Sequence, residues 1–123
     1  MFDPEGRVLL VRHSYGSGNW MLPAGGLGRN EDAVAGALRE FAEEVGGRLE
    51  RARLVMLLEE PLSGATNHVH VVTGVCANQV VGDRREVIAA EFFASGDWPP
   101  DLSLSHKDGL DGWVRAAEAA LQA

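Results

Sequence analysis

The first quarter of the chain alternates short apolar runs with breaks rich in glycine. The run from Val8 to Val11 is apolar at every position, which is typical of a strand that is buried on both faces. A second extended piece covers Trp20 to Leu22 and ends at Pro23. The glycine-rich segment from Ala24 to Gly28 follows and predicts a turn.

The segment after this turn has the period of an amphipathic helix. Asn30 is predicted to be its N-cap, and Gly46-Gly47 stands where a left-handed C-cap favours glycine, so we expect the helix to end near Val45. Successive helical residues are about 100° apart, and this rotation gathers four apolar side chains into one stripe that faces the core. The stripe consists of Val34, Leu38, Phe41 and Val45.

The remaining elements are predicted from the same patterns. Strands are expected near 52–58, 68–76 and 88–93, with loops at 61–67 and 80–85 and a closing amphipathic helix at 108–121. Because strands and helices are intermixed, the fold class is α/β or α+β with a mixed sheet. A chain of 123 residues is long enough for one domain, which we place at 1–123.

Composition and charge restrict the partners that the chain can take. The formal net charge is −7 and Lys107 is the one lysine, which argues against a general DNA or RNA binder because such proteins need a basic face. Cys76 is the one cysteine, so an internal disulfide is impossible. The sequence has neither a leader-like start nor an apolar run long enough to span a membrane, and we expect a cytoplasmic protein.

Three glutamates form a second stripe on the predicted helix. Glu40, Glu43 and Glu44 are spaced three and four residues apart, so their carboxylates crowd one patch, and each like-charged pair costs roughly 0.2–0.5 kcal/mol. They also lie in the last turns, where the helix dipole favours cations. A divalent cation resolves both conflicts, because Mg²⁺ takes hard oxygen ligands and shares its remaining positions with substrate phosphates. Mn²⁺ is the alternative.

The spacing around these glutamates resembles the Nudix box. Gly25 is followed after five residues by Glu31, and after seven more by the segment from Arg39 to Gly46, which reads REFAEEVG. Gly47 departs from the family, which usually has an aliphatic residue there. Trp20 to Gly26 also resembles the strand and loop before the box, and Gly6 to His13 resembles the earlier strand.

The resemblance implies a fold and a reaction. The implied fold is a Nudix-like α/β/α sandwich with a mixed sheet, and we expect it to lack the usual first strand. The implied reaction is metal-dependent hydrolysis of a pyrophosphate bond. Glu40 and Glu44 would be the principal metal ligands, Glu43 a further ligand, and the Ala24 carbonyl a backbone ligand. Glu31 and Arg39 would form a structural ion pair.

Further candidate site residues lie outside the Nudix box. Family members often take an additional glutamate from the loop before the late strand, and Glu86 lies there as a candidate base or ligand. Its competitors are Asp83, Glu59 and Glu60. Candidate substrate contacts are Arg12 for a phosphate, Trp20 for a base, the backbone of Gly25 and Gly26, and His70, which alternates with His68 on one strand face.

The predicted substrate is a small nucleotide: a sugar nucleotide such as ADP-ribose, a dinucleoside polyphosphate or a nucleoside triphosphate. Pro61 lies near the position of a proline in relatives that cleave ADP-ribose, which slightly favours the first of these. One alternative is a non-catalytic Nudix-like nucleotide sensor, and another removes pyrophosphate from the 5′ end of RNA. Since Val8 to Val11 is apolar on both faces and little chain precedes it, we expect a bare edge or a partner beside this strand, and a homodimer through that edge is possible.

Overall fold

The computed structural model describes residues 1–27, 29–62 and 64–123. Its elements in chain order are β1 (Val8–His13), α1 (Ala33–Val45), β2 (Leu49–Leu62), β3 (Ala65–Cys76), β4 (Val87–Phe93), α2 (Leu104–Lys107) and α3 (Leu110–Gln122). None of the helices in these ranges is both long and apolar enough to cross a membrane.

Strand β1 lies between two hydrophobic cores. Leu9 and Val11 pack with Phe41 and Val45 of α1. Val8 and Leu10 point the other way and pack with residues of α3. The continuous apolar run therefore serves two buried faces, and the predicted α/β/α sandwich of α+β class is confirmed.

The sheet is built from two antiparallel pairs. β1 pairs with β4, and β2 pairs with β3. Phe2 joins the pairs, because it bridges Val8 in antiparallel and Val75 in parallel fashion. The Phe2 N–H donates to the Gly74 carbonyl at 2.9 Å, and the Cys76 N–H donates to the Phe2 carbonyl at 2.7 Å. The bridge between Phe2 and Val75 is parallel, as is the isolated bridge between Trp20 and Leu102. These parallel bridges make the sheet mixed.

The expectation of a bare edge beside β1 is wrong. The Leu9 N–H donates to the Met1 carbonyl at 2.9 Å, and Val11 exchanges two backbone hydrogen bonds with Met21. These two short segments occupy the side of β1 that β4 leaves free. They are too short and irregular to show a strand pattern in the sequence. A homodimer through this edge therefore lacks the open strand that it would need.

Helix α1 begins two residues later than predicted. Its N-cap is Asp32, whose carboxylate accepts the Val34 and Ala35 N–H groups at 3.1 Å each. Asn30 instead has a φ of 62°, so the chain is still turning there. The predicted end is confirmed, since Gly46 is the left-handed C-cap with a φ of 66°.

The core-facing stripe of α1 is narrower than predicted. Phe41 and Val45 are buried, but Leu38 is exposed. The structure also explains why position 47 is glycine, because a β-carbon there would lie 2.0 Å from Cε2 of Phe41. The aromatic ring of Phe41 thus occupies the space that a side chain at position 47 would need.

The predicted loop at 61–67 is wrong. β2 and β3 form one long hairpin that remains paired to Leu62 and Ala65, and Gly64 turns with a φ of 83°. Ser63 lies outside the described residues. The pairing continues because cross-strand backbone bonds do not require apolar side chains, as the facing pair Glu59 and His68 illustrates.

The predicted closing helix at 108–121 is confirmed as α3, and the short helix α2 lies just before it. Gly109 lies between α2 and α3, and a β-carbon there would lie 2.6 Å from the Trp113 ring. At the other end of α3, the Arg51 guanidinium donates to the Leu121 carbonyl. Arg53 donates to the carbonyls of Ala120 at 3.2 Å and Ala123 at 2.8 Å.

Candidate active site

The three glutamates of α1 differ sharply in exposure. The Glu43 side chain is 60% exposed and that of Glu40 is 23% exposed. Glu44 is only 7% exposed, although the sequence pattern places it on the polar side of the helix. The covering comes from outside the helix, so one carboxylate of the stripe is buried.

Arg39 holds several carboxylates at once. It binds Glu31 through Nε at 2.8 Å and Nη2 at 2.9 Å. It also lies 3.2 Å from carboxylate oxygens of Glu40 and Glu43. None of the ion pairs in the described ranges includes Glu44. The like-charge repulsion predicted from the sequence is therefore partly relieved at Glu40 and Glu43, and it is concentrated on Glu44.

The segment before β4 covers the end of α1. The Val81 N–H donates to the Val45 carbonyl at 3.0 Å, and the Asp83 N–H donates to the Glu44 carbonyl at 2.9 Å. Gly82 is required by this close approach, because a β-carbon there would lie 2.4 Å from the Val87 carbonyl oxygen. These bonds place residues 81–87 across from the glutamate stripe.

A cavity of about 580 Å³ lies between α1 and this segment. Its lining is almost entirely charged and consists of Glu40, Glu43, Glu44, Asp83, Arg85 and Glu86. Glu86 thus lies in one cavity with the three box glutamates, as the sequence-based hypothesis requires. We call this the glutamate cavity.

The electrostatics of the cavity disfavour an ionised Glu44. Burial, together with the neighbouring carboxyl groups of Glu40 and Glu86, raises the pKa of Glu44 to about 8. A carboxyl group held in this way keeps its proton near neutral pH unless a cation replaces it. The cavity therefore has the donor atoms and the unfavourable charge density of a cation site.

The competing candidates for the base are committed elsewhere. Oδ1 of Asp83 accepts the backbone N–H groups of Arg85, Glu86 and Val87 at 2.9–3.0 Å. These bonds, led by the one from Val87, lower the pKa of Asp83 and make it an organiser of the loop rather than a proton acceptor.

The other two competitors lie away from the cavity or outside the description. Glu59 is exposed on β2, with a carboxylate oxygen 3.7 Å from Nδ1 of His68. The Glu60 side chain, like that of Pro61, lies outside the described residues.

The glycine turn before α1 is shaped by the helix. A β-carbon on Gly25 would lie 2.5 Å from Cδ of Glu40, so this position has to be glycine for the carboxylate to lie where it does. The Gly26 carbonyl accepts from Nη2 of Arg39 at 3.4 Å, and Ala24 is exposed beside them. The turn is thus tied to the residues that it precedes in the motif.

The remaining candidate substrate contacts do not line the glutamate cavity. The Arg12 guanidinium donates through Nε to the Gly18 carbonyl at 2.8 Å and lies 5.8 Å from the centre of the Trp20 ring. His70 is exposed on β3 opposite Leu57. Sequence reasoning also missed two residues that the structure places near the cavity wall, His13 and Tyr15. Their position just beyond the apolar run of β1 carried no signal by itself.

Comparison with known proteins identifies the family. The family model described as the NUDIX domain matches residues 1–119. The chain belongs to the Nudix family. None of the curated proteins matches it by sequence. As predicted, this Nudix chain is a pyrophosphohydrolase.

Solved structures agree with this membership. The MutT Nudix hydrolase from Burkholderia pseudomallei is 26% identical, with a TM-score of 0.64, over 98% of this chain and 90% of its own. An ADP-ribose pyrophosphatase from Streptococcus suis is 24% identical, with a TM-score of 0.65 and coverages of 96% and 82%. An Ap4A hydrolase from C. elegans is 20% identical, with a TM-score of 0.67 and coverages of 93% and 85%. The last two show a shared fold.

Proposed function

We propose that this Nudix chain hydrolyses a pyrophosphate bond in a nucleoside diphosphate derivative, with a divalent cation held by the α1 glutamates. The observation that carries the proposal is the burial of Glu44 beside Glu40 and Glu86 in the glutamate cavity. A buried carboxylate beside two others destabilises the protein unless positive charge joins it. A divalent cation would supply that charge.

The donor set fits Mg²⁺ or Mn²⁺. Glu40, Glu43 and Glu44 would hold the ion, and the Ala24 carbonyl would be a backbone ligand. All of these atoms are hard oxygens, which such cations prefer. No group of three His, Cys, Asp or Glu side chains in the described ranges is already arranged around one metal position. Adjusting side-chain rotamers is therefore part of binding. When bound, the ion would neutralise phosphate charge and lower the pKa of water.

The chain's own residues have distinct roles in this proposal. Glu86 accepts the proton of the attacking water from the wall opposite α1, because Asp83 is held by three backbone donors. Arg39 and Glu31 keep the glycine turn against the helix through their two-bond ion pair. Gly25 leaves space for the Glu40 carboxylate.

The substrate is proposed at the level of a class. The structurally similar proteins are described as an ADP-ribose pyrophosphatase and an Ap4A hydrolase, and the Nudix domain of NrtR from Shewanella oneidensis is described in complex with ADP-ribose. A sugar nucleotide, a dinucleoside polyphosphate and a nucleoside triphosphate all contain the same linkage. We propose that one of these is the substrate, and that the whole chain acts as one domain.

A substrate screen that separates the product nucleotides by chromatography tests the proposal. Purified protein would be incubated with ADP-ribose, diadenosine tetraphosphate, nucleoside triphosphates and 5′-triphosphorylated RNA, with Mg²⁺, Mn²⁺ or a chelator. Glu44→Gln is the control for contaminating activity. Metal-dependent turnover of one nucleotide class by the wild type alone supports the proposal. Binding without turnover would instead favour a nucleotide sensor, and turnover confined to 5′-triphosphorylated RNA would favour the RNA-processing alternative.

A further inference from the structure

The turn after β1 is fastened to the wall of the glutamate cavity. The Ser14 N–H donates to the Glu86 carbonyl at 2.9 Å, and the Ser14 hydroxyl donates to the Arg85 carbonyl at 2.6 Å. Both acceptors belong to residues that line the cavity. These two hydrogen bonds join residue 14 to residues 85 and 86. They hold the next residue, Tyr15, beside the cavity.

Tyr15 is supported on one side and open on the other. Its ring centre lies 4.8 Å from that of His13, with an angle of 30° between the rings, yet 58% of the residue is exposed. A single exposed aromatic residue is ordinary on a protein surface. Tyr15 differs because its ring is stacked on a fixed neighbour at the edge of the site.

His13 has the properties of a rigid support. It is 4% exposed, and among the described residues neither of its ring nitrogens has a hydrogen-bond partner. Burial lowers the pKa of His13 against the opposing charges of Glu86 and Asp83, so the imidazole is neutral at physiological pH. A neutral ring fixed in β1 is a suitable flat surface beneath a second aromatic ring.

Trp20 is less suitable as a stacking surface. The Arg12 guanidinium lies over its ring at 5.8 Å. Phe93 meets it edge to face, with 5.2 Å between the ring centres, and the ring packs against the core on the α3 side. Both neighbours compete with a base for contact with the Trp20 ring.

We propose that Tyr15 is the platform on which the base of the nucleotide substrate stacks while the phosphates lie among the glutamates of the cavity. The inference rests on the proposed function and specifies how that site selects nucleosides. The phosphates and their cation belong next to the carboxylates, so the base has to lie at the margin, where the open face of Tyr15 is available. Burial raises the pKa of the Tyr15 phenol, as do Glu44, Glu86 and Glu40, so the ring stays neutral.

Steady-state kinetics test the proposal on the best substrate from the screen. Tyr15→Ala is expected to raise KM roughly tenfold with kcat within twofold, which is the usual effect of losing one base–aromatic stack. Tyr15→Phe keeps the ring and is expected to match the wild type. Leu104→Ala removes an exposed apolar side chain elsewhere and is the matched control. A KM unchanged in Tyr15→Ala would overturn the platform and leave the proposed hydrolysis intact.

A binding experiment separates the platform from catalysis. Tyr15 is the one tyrosine of the chain, so its ring proton resonances are identified by their loss in Tyr15→Phe. Addition of AMP with Mg²⁺ is expected to shift them upfield through the ring current of the base, whereas ribose 5-phosphate with Mg²⁺ is not. If the wild type hydrolyses no nucleotide, the proposed function fails, and this shift still decides the platform. Equal shifts with both ligands, or none with either, would overturn it.

Discussion

The two long helices end in opposite electrostatic environments. The last carbonyl groups of α3 accept from the guanidinium groups of Arg51 and Arg53. The last turns of α1 contain no basic residue and carry Glu40, Glu43 and Glu44. Their carbonyl groups accept instead from neutral backbone N–H groups of Val81 and Asp83.

The charges at the end of α3 serve stability, whereas those at the end of α1 reduce it. A helix C-terminus carries partial negative charge, so the arginines stabilise α3 and the glutamates oppose α1. The same fold thus follows the electrostatic rule at one helix end and violates it at the other. The violation lies at the glutamate cavity, beside the residues that we propose to hold the cation.

The strongest test of this contrast removes the buried carboxylate. Glu44→Gln is expected to lower turnover at saturating Mg²⁺ by roughly 10³-fold, because metal-assisted charge stabilisation contributes several kcal/mol. Metal-free stability should stay level or rise slightly, because repulsion is relieved. Chromatography of the product nucleotides measures the turnover, and urea unfolding measures the stability. Glu118→Gln on the exposed side of α3 is the charge-matched control, and turnover within threefold of wild type would exclude Glu44 as a ligand.

The opposite wall of the cavity gives the next largest effect. Glu86→Gln is expected to lower kcat by roughly 10²-fold, within the range for a positioned base. Glu91→Gln, which lies on β4 outside the cavity lining, should be near normal. Asp83→Asn should lose stability, since its Oδ1 organises three backbone donors. If Glu86→Gln had a normal kcat and Glu91→Gln had lost turnover, Glu91 would be the base instead.

The stability of the metal-free protein should depend on pH because of the buried carboxyl group of Glu44 at the end of α1. The pKa of Glu44 is raised from its ordinary 4.5 to about 8 in the folded protein, so folding binds a proton between these values. Metal-free stability is then full below pH 4.5 and falls as the pH rises through 8, by about 2 kcal/mol once water and ions in the open cavity screen the charges. Thermal unfolding from pH 5 to 8.5 measures it. Glu44→Gln should flatten the slope, and an equally steep slope in that variant would locate its origin elsewhere.

The favourable end of α3 should show a smaller and purely structural effect. Arg51→Gln is expected to lower the free energy of unfolding by about 1 kcal/mol, through loss of a charged donor at the helix terminus. Turnover should be unchanged. Urea unfolding measures the loss, and Arg115→Gln is the control because Arg115 is an exposed arginine within α3. The control removes the same charge away from the helix end. Equal losses in the two variants would contradict the capping role.

The sequence was informative where chemistry or periodicity is local. The Nudix spacing identified the family, and apolar runs located β1 and the core face of α1 at Phe41 and Val45. The Gly46 cap follows directly from its residue type. Each of these features depends on neighbours within a few positions.

Features that depend on distant segments could not be derived in this way. Glu44 is covered by residues 81–83, almost forty positions along the chain, so its burial is invisible in the helical pattern. Phe2 closes the sheet through single bridges, which have no periodicity. The relation between Phe41 and Gly47 emerges only when the ring is placed in space.

The role of Phe2 has a consequence for how the molecule opens. β1 with β4 and β2 with β3 are joined along the sheet by a few amide groups around one residue. Native-state hydrogen exchange would report such a seam as a boundary between two cooperative units. The amides of Phe2 and Cys76 should exchange at a lower opening free energy than those in the middle of β1. The two halves of the sheet would then separate at this seam before either one unfolds.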